Sequence, residues 1–361
     1  MPADRRAERQ RALGELLVAE GLDGLLVQSL PNIRYLTGFT GSAGLLLVRG
    51  AELVLITDFR YAVQAGREAG TSVRVEIDQA SVWDRLKKVV GERAPGTLGF
   101  EAHVATVRER ERLEALAPGR WKAAGELVER LRAVKDAGEV DAIRRAVAVA
   151  QDALAAVLPT VRAGQRELDV GAALEHALRV RGSEWHPFQT IVASGPRAAL
   201  PHARTSERVI GTGDWLLLDF GAQVDGYCAD LTRTAVVGAA DEKQRLVHEV
   251  VRQAQRRALE GLRAGMTGKE GDALARELIA QRGYGEAFGH SLGHGLGLEV
   301  HEAPRLSPTA EAPLVAGVVV TVEPGIYLPG WGGVRLEDDV HLTPDGPDVL
   351  SDNRVELVEL R

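Results

Sequence analysis

Four acidic residues stand inside or at the ends of segments that otherwise read as apolar β-strand: Asp219, Asp230, Glu323 and Glu337. An unpaired carboxylate in such a place is costly. One of them alone would ordinarily be a salt-bridge or turn residue. Four on neighbouring strands repel one another unless cations lie between them. Three histidines, His290, His294 and His301, follow one another in a stretch punctuated by Gly289, Gly293, Gly295 and Gly297. These glycines argue against a regular helix and let side chains converge. His202, after Pro201 in a short loop between extended segments, is a fourth candidate. Four carboxylates and one neutral imidazole carry four negative charges, which two divalent cations balance. That predicts a dinuclear site of hard or borderline ions, with Mn, Co, Fe and Zn all chemically possible. The single cysteine, Cys228, argues against a thiolate-based structural zinc site. Two such ions ~3.5 Å apart deprotonate a shared water and stabilise an oxyanion. The remaining histidines could bond a carbonyl and pass protons. Hydrolysis of an amide, an ester or a phosphoester fits this much.

The elements that must position these groups form an α+β region. Residues 215–220 and 227–237 read as an antiparallel hairpin, 318–323 and 334–342 as further strands, and 353–360 as a last one. A long helix spans 139–157, with Val140, Ile143, Val147 and Ala150 spaced by three and four. An internal echo runs through this region. Val161-Arg-Ala-Gly164 recurs as Leu262-Arg-Ala-Gly265, and Arg181-Gly182 as Arg282-Gly283, both at an offset of 101. Each copy reads as helix, glycine turn, helix, glycine stop, so the region is expected to be a duplicated half-domain with a site between the halves. Ahead of it, strands and helices alternate as in an α/β domain with a parallel or mixed sheet. The expected elements are a helix over 5–20, a strand over 25–28, a loop over 32–40, a hairpin of 45–48 with 53–57, a helix over 58–70, a strand over 73–77, a helix over 82–90, a strand over 98–100 and a helix over 106–116. The expected domains are 1–125 and 126–361.

The 361 residues carry 44 basic and 51 acidic side chains, a net charge of −7, with arginines interleaved among glutamates. That argues against nucleic-acid binding. No window approaches the ~20 apolar residues of a membrane span, and the charged start has no apolar signal core. One cysteine suits a reducing compartment. A cytoplasmic location is the expectation.

The ordered segments Leu218-Asp-Phe-Gly-Ala-Gln-Val-Asp-Gly-Tyr227, Asp230-Leu-Thr-Arg-Thr234, Gly293-His-Gly-Leu-Gly-Leu-Glu-Val-His-Glu302, Thr321-Val-Glu-Pro-Gly-Ile-Tyr327 and Val334-Arg-Leu-Glu-Asp338 resemble the pita-bread metallopeptidases, in the prolidase and aminopeptidase P branch. Asn32-Ile-Arg-Tyr-Leu-Thr-Gly-Phe-Thr-Gly41 and Ile56-Thr-Asp-Phe-Arg-Tyr61 look like the smaller N-terminal domain of that branch. The resemblance implies an α/β N-terminal domain followed by a pita-bread catalytic domain with pseudo-twofold duplication. It implies hydrolysis of the Xaa-Pro bond of small proline-containing peptides, by a homodimer. Two divalent metal ions per subunit are implied, manganese first, with Co, Zn or Fe as alternatives. By motif, Asp219, Asp230, His294, Glu323 and Glu337 match the metal ligands, Asp230 and Glu337 bridging both ions. Glu323 also matches a proton-transfer role. His202 and His301 match histidines that contact substrate or stabilise the intermediate, and His290 a further pocket histidine. Arg335 matches an arginine that orients the carboxylates, Arg305 one that holds the substrate's terminal carboxylate, and Tyr227 would line the site. The aromatic loop 182–189, with Trp185, His186 and Phe188, is a candidate pocket wall. Creatine-hydrolysing relatives lack this ligand set, and methionine aminopeptidases generally lack the N-terminal domain. Dipeptidase, aminopeptidase P, another metal-dependent amide or ester hydrolase and a non-catalytic binding homologue remain as alternatives.

Overall fold

The computed structural model describes residues 5–92, 96–351 and 355–361. In chain order the first elements are α1 (Arg6–Ala19), β1 (Gly24–Val27), α2 (Leu30–Thr37), β2 (Leu45–Arg49), β3 (Glu52–Asp58), α3 (Ala62–Glu68), β4 (Val73–Asp78), α4 (Val82–Gly91), β5 (Leu98–Glu101), α5 (Val107–Leu116), β6 (Trp121–Ala124) and α6 (Leu127–Arg132). Among the described residues the strands form one mixed sheet in the order β4-β3-β2-β1-β5-β6. The β1–β2 and β2–β3 pairs are antiparallel and the others parallel. Leu26, Leu47, Ile56, Leu86 and Leu98 fill its core. The expected loop over 32–40 is instead largely the helix α2. Pro31 stands in its first turn, where a missing N–H costs nothing. Ile33 and Leu36 are fully buried, and Asn32 Nδ2 donates to Glu101 Oε1 (2.5 Å). Glu101 also accepts the N–H groups of Gln28 (2.6 Å) and Ser29 (2.8 Å). Its own carboxylate thus fills the carboxyl edge of β1 and β5, where open α/β sheets otherwise take ligands.

Two compact units divide the chain, Met1–Arg132 and Ala133–Arg361. Helix α6, past the expected cut at 125/126, belongs to the first because Arg132 Nη1 donates to Asn32 Oδ1 (2.7 Å).

The second unit begins with α7 (Ala137–Val157) and α8 (Glu167–Val180), then β7 (Ile191–Ser194), β8 (Trp215–Phe220), β9 (Gln223–Val224), β10 (Tyr227–Cys228) and β11 (Leu231–Val237). The helices α9 (Glu242–Gly261) and α10 (Gly268–Gln281) follow. The strands β12 (Gly293–Gly295), β13 (Glu302–Leu306), β14 (Val319–Val322), β15 (Gly325–Leu328), β16 (Gly332–Arg335), β17 (Asp338–Thr343), β18 (Gly346–Val349) and β19 (Val358–Leu360) complete it. Asn353 and Arg354, at the start of the expected last strand, lie outside the described residues, as do residues 1–4 of the charged start.

The duplication is present in the backbone. Both long helices open with capping boxes, Asp136 with Glu139 and Asp241 with Gln244. Gly164 and Gly265 adopt φ of 93° and 91°, a conformation that L side chains resist. The Gly164 N–H bonds Ile210 O (2.9 Å) and the Gly265 N–H bonds Leu314 O (2.8 Å). Bridges Arg166↔Val209 and Thr267↔Pro313 repeat the same relation.

Among the described residues, one sheet runs β19-β11-β8-β7 and another β13-β12-β14-β17-β18. They meet at a single bridge, Thr232↔Glu337. Two expected strands are broken where the chain changes sheet. Within 227–237, Tyr227–Cys228 pairs with Gln223–Val224, and the ladder to β8 starts only at Leu231. Within 334–342, β16 pairs with β15, whereas β17 pairs with β14. At that second break the Glu337 N–H leaves the ladder to bond Thr232 O (3.1 Å). Asp230 and Glu337 therefore both stand at interruptions, where backbone geometry frees a side chain to turn inward.

Candidate metal centre

The four carboxylates and His294 reach one place from five strands or strand ends. Asp219 is opposite Thr232 in the β8–β11 ladder, and Thr232 bridges to Glu337. The Thr232 hydroxyl donates to Glu337 Oε2 (2.6 Å). Asp230 is held by its backbone N–H, which donates to Asp339 Oδ2 (3.1 Å). Glu323 follows β14, with its N–H on Leu292 O (2.8 Å). His294 lies on β12 opposite Arg305, beside a register shift. The neighbouring glycines admit this strand: a Cβ on Gly293 would lie 1.9 Å from Thr321 O, and one on Gly295 2.2 Å from Ala303 O.

Asp230, His294 and Glu337 each offer a ligand atom within 4.8 Å of the others. His294 Nε2 lies 3.7 Å from Asp230 Oδ2 and 3.5 Å from Glu323 Oε1. Its Nδ1 is 3.0 Å from Gly295 O, which assigns the proton to Nδ1 and leaves Nε2 a lone pair. Burial lowers the His294 pKa to about 4, so the ring is neutral at pH 7. The carboxylates shift the other way. Burial, then the Asp219 charge, pushes Glu337 up to about 8. Burial, then Glu337, holds Asp230 and Glu323 well above the usual carboxylate range. Burial also raises Asp219, against the attraction of Arg335.

Asp219 Oδ1 and Asp230 Oδ1 are buried and receive no hydrogen bond from the described residues. Buried carboxylate oxygens are ordinarily satisfied. Orphaned oxygens beside a neutral imidazole, in a cluster of like charge, are the donor set of a hard or borderline divalent cation. The residues present fit such an ion.

A cavity of about 430 Å³ opens on this cluster. Its wall includes all five expected ligands together with His202, His290, His301, Arg305 and Arg335. His301 packs edge-on to His294, with ring centroids 4.3 Å apart. Burial, then the Arg305 charge, lowers the His301 pKa. Arg335 Nη2 donates to Asp219 Oδ2, Nε to Thr232 Oγ1 (3.0 Å) and Nη1 to Pro201 O (3.1 Å). Nη1 also donates to the Tyr327 hydroxyl (2.9 Å), which lies 2.8 Å from His290 Nε2. His290 Nδ1 is 2.8 Å from Ser291 O, so the Tyr327 hydroxyl donates to Nε2. Burial pushes Tyr327 up to about 12 and keeps that donor protonated.

Tyr227 is a correction. Its hydroxyl donates to Glu139 Oε1 (3.0 Å), and the residue does not line the cavity. The β9–β10 turn carries the ring towards α7. Tyr327 is the tyrosine bonded to the site residues. Of the aromatic loop 182–189, Phe188 lines the cavity, while Trp185 is 66% exposed and does not. Cys228 is buried, its backbone N–H bonds Gly297 O (2.8 Å), and burial pushes its thiol up to about 12.

Residues 141–344 match the metallopeptidase family M24, and residues 9–134 match the creatinase/prolidase N-terminal domain. The chain belongs to the M24 metallopeptidases. A Xaa-Pro dipeptidase of Pyrococcus furiosus is 36% identical over 353 residues, covering 97% of this chain and 99% of the relative. The structure of a Xaa-Pro dipeptidase from Bacillus anthracis superposes with a TM-score of 0.94 at 40% identity, covering 98% of this chain and 100% of that one. That of an X-Pro aminopeptidase from Thermotoga maritima gives 0.90 at 39% identity, covering 97% and 99%. The second unit of this M24 enzyme has the pita-bread fold, and the family uses divalent metal.

Proposed function

We propose that this M24 enzyme hydrolyses the Xaa-Pro bond of dipeptides. One observation carries the reading: Arg305 faces the same cavity as the five metal-ligand candidates. No carboxylate among the described residues pairs with its guanidinium, which therefore meets an anion entering the cavity. A dipeptide ending in proline places its terminal carboxylate one residue beyond the scissile bond.

Asp219, Asp230, His294, Glu323 and Glu337 would hold two divalent ions, manganese first. Bound there, the metal supplies Lewis acidity and an activated water. Arg305 binds and orients the substrate carboxylate. His202 and His301 donate to the carbonyl oxygen as it gains charge. Glu323 takes a proton from the attacking water and returns it to the prolyl nitrogen, which has no hydrogen of its own. Arg335, tied to Tyr327, keeps Asp219 ionised and oriented. His290 has both ring nitrogens engaged, so it meets substrate only through its carbon edge and face. We assign the working form to a cytoplasmic homodimer. The buried reduced thiol of Cys228 accords with that compartment, and no helix among the described residues is long and apolar enough to cross a membrane.

The likeness to the Thermotoga maritima X-Pro aminopeptidase favours a second reading, cleavage of longer peptides. Turnover of Ala-Pro against Ala-Pro-Ala under added Mn, Co or Zn separates the two. Cleavage of the dipeptide alone supports the proposal, and preference for the tripeptide replaces it with the aminopeptidase.

A further inference from the structure

The segment that carries His202 leaves β7 at Ser194, makes a 3₁₀ turn over Gly195–Ala199 and passes Pro201 on its way to Ser206. One side chain holds both feet of this loop. Glu167, at the start of α8 and fully buried, accepts the Ser194 N–H (2.8 Å) and hydroxyl (2.9 Å) at Oε1. Its Oε2 accepts the Ser206 N–H (3.1 Å) and hydroxyl (2.6 Å). Arg197 Nε lies 3.2 Å from both oxygens. At the tip, Pro201 O accepts from Arg335, whose other nitrogens hold Asp219 and Thr232. His202 therefore sits between an anchor on the metal cluster and an anchor on Glu167.

A buried carboxylate with five donors could simply be part of how this repeat folds. The second repeat argues otherwise. The Glu167 N–H bonds Arg208 O (2.9 Å) and the Gly268 N–H bonds Ala312 O (3.2 Å), so Gly268 occupies the matching position. That half folds with no side chain there at all, and a Cβ would lie 2.1 Å from Arg305 O. The carboxylate is an addition made only by the half that presents His202.

We propose that Glu167 is a positioning residue for the hydrolysis: it fixes the loop that aims His202 at the scissile carbonyl, and it does not touch substrate. The proposal takes the role of His202 from the reading above. A double-mutant cycle tests it on Ala-Pro. Glu167→Gln, which keeps the shape and removes the charge, lowers kcat about tenfold to a hundredfold, as small misplacements of catalytic groups do. KM and bound metal stay as in the parent enzyme. In a His202→Ala background the same substitution changes kcat less than about twofold. A full-sized loss in that background overturns the proposal, because it means that Glu167 acts on something other than His202. Ser206→Ala, which removes one donor and keeps the carboxylate, gives the same pattern at smaller amplitude if Glu167→Gln does not fold. A second readout needs no substrate. In the zinc-loaded protein, the imidazole NMR signal identified by its loss in His202→Ala shifts in Glu167→Gln. An unmoved signal rejects the positioning role whatever peptide is cleaved. Absence of proline release from Ala-Pro by the unmutated enzyme would instead remove the dipeptidase reading and leave the spectroscopic arm to decide.

Discussion

Replacing Arg305 by Gln removes one charge from the cavity while leaving the strand intact, since the backbone of β13 and not the guanidinium pairs with His294. A hydrogen bond to a charged partner contributes about 1.5–3 kcal/mol. At about 1.4 kcal/mol per factor of ten, kcat/KM for Ala-Pro falls roughly 10- to 150-fold. Ala-Pro-Ala has no carboxylate at the prolyl position, so whatever residual cleavage it undergoes changes less than about twofold on the same reasoning. There is a second consequence. After burial, the Arg305 charge is the largest cause that lowers the His301 pKa. Its removal lets that pKa rise, so the acid limb of kcat/KM moves to higher pH if neutral His301 is the active form. Steady-state release of alanine from both peptides across pH 5–9, with metal content checked, measures all of this. An equal fall on dipeptide and tripeptide would show that Arg305 does not read the carboxylate and would withdraw the argument for a dipeptidase.

Three other outcomes are expected. Metal-stripped enzyme becomes less stable as pH rises from about 5 to 8: Glu337 titrates near 8 in the fold against an ordinary 4.5, so the folded state holds the extra proton in that window and loses its advantage as the proton leaves. Thermal melts with chelator should show this fall and melts with Mn should not; a flat chelator curve contradicts it. Arg233→Met strips the buried Asp338 of its cation at 2.6 Å, and breaking such a pair costs about 3–5 kcal/mol. The melting temperature then drops by roughly 6–20 °C, and a drop under ~2 °C would mean that the hydrogen bonds donated to Asp338 by Gln255 Nε2 (2.9 Å) and the Ser351 hydroxyl suffice. Tyr327→Phe removes the link between Arg335 and His290. Metal content holds while kcat falls roughly 5- to 150-fold, on the ~1–3 kcal/mol left by an unsatisfied buried partner. An unchanged kcat would make the tyrosine a packing residue only.

The carboxylates were legible because apolar strands make a charged residue conspicuous, and the glycine spacing around His294 marks a close backbone approach. The polar residues beside them carried a signal too. Asp230, Thr232 and Thr234 alternate in the sequence, as do Arg335, Glu337 and Asp339, and a period of two in a strand-like run would place each set on one face. Thr232 could have been read that way. Tyr227 and Tyr327 could not be told apart by spacing alone, but Asp225-Gly226, with φ of 50° and 78°, is the sequence signature of the two-residue hairpin that reverses the first. Helix α2 was hidden for a different reason: eight residues are too few for periodicity to speak, and Glu101, far along the chain, supplies the bonds that hold its start. Glu167 looks like any acidic residue in a first helical turn, and only the return of Ser194 and Ser206 gives it a task.

The single thiol has a use that its burial creates. Cys228 stands two residues before Asp230, its N–H clasped to Gly297, with a proton held up to about 12. A disulfide reagent reaches it only when that wall parts. Its labelling rate is therefore a clock for breathing beside the carboxylate cluster, and the ticking should slow when a divalent cation is added.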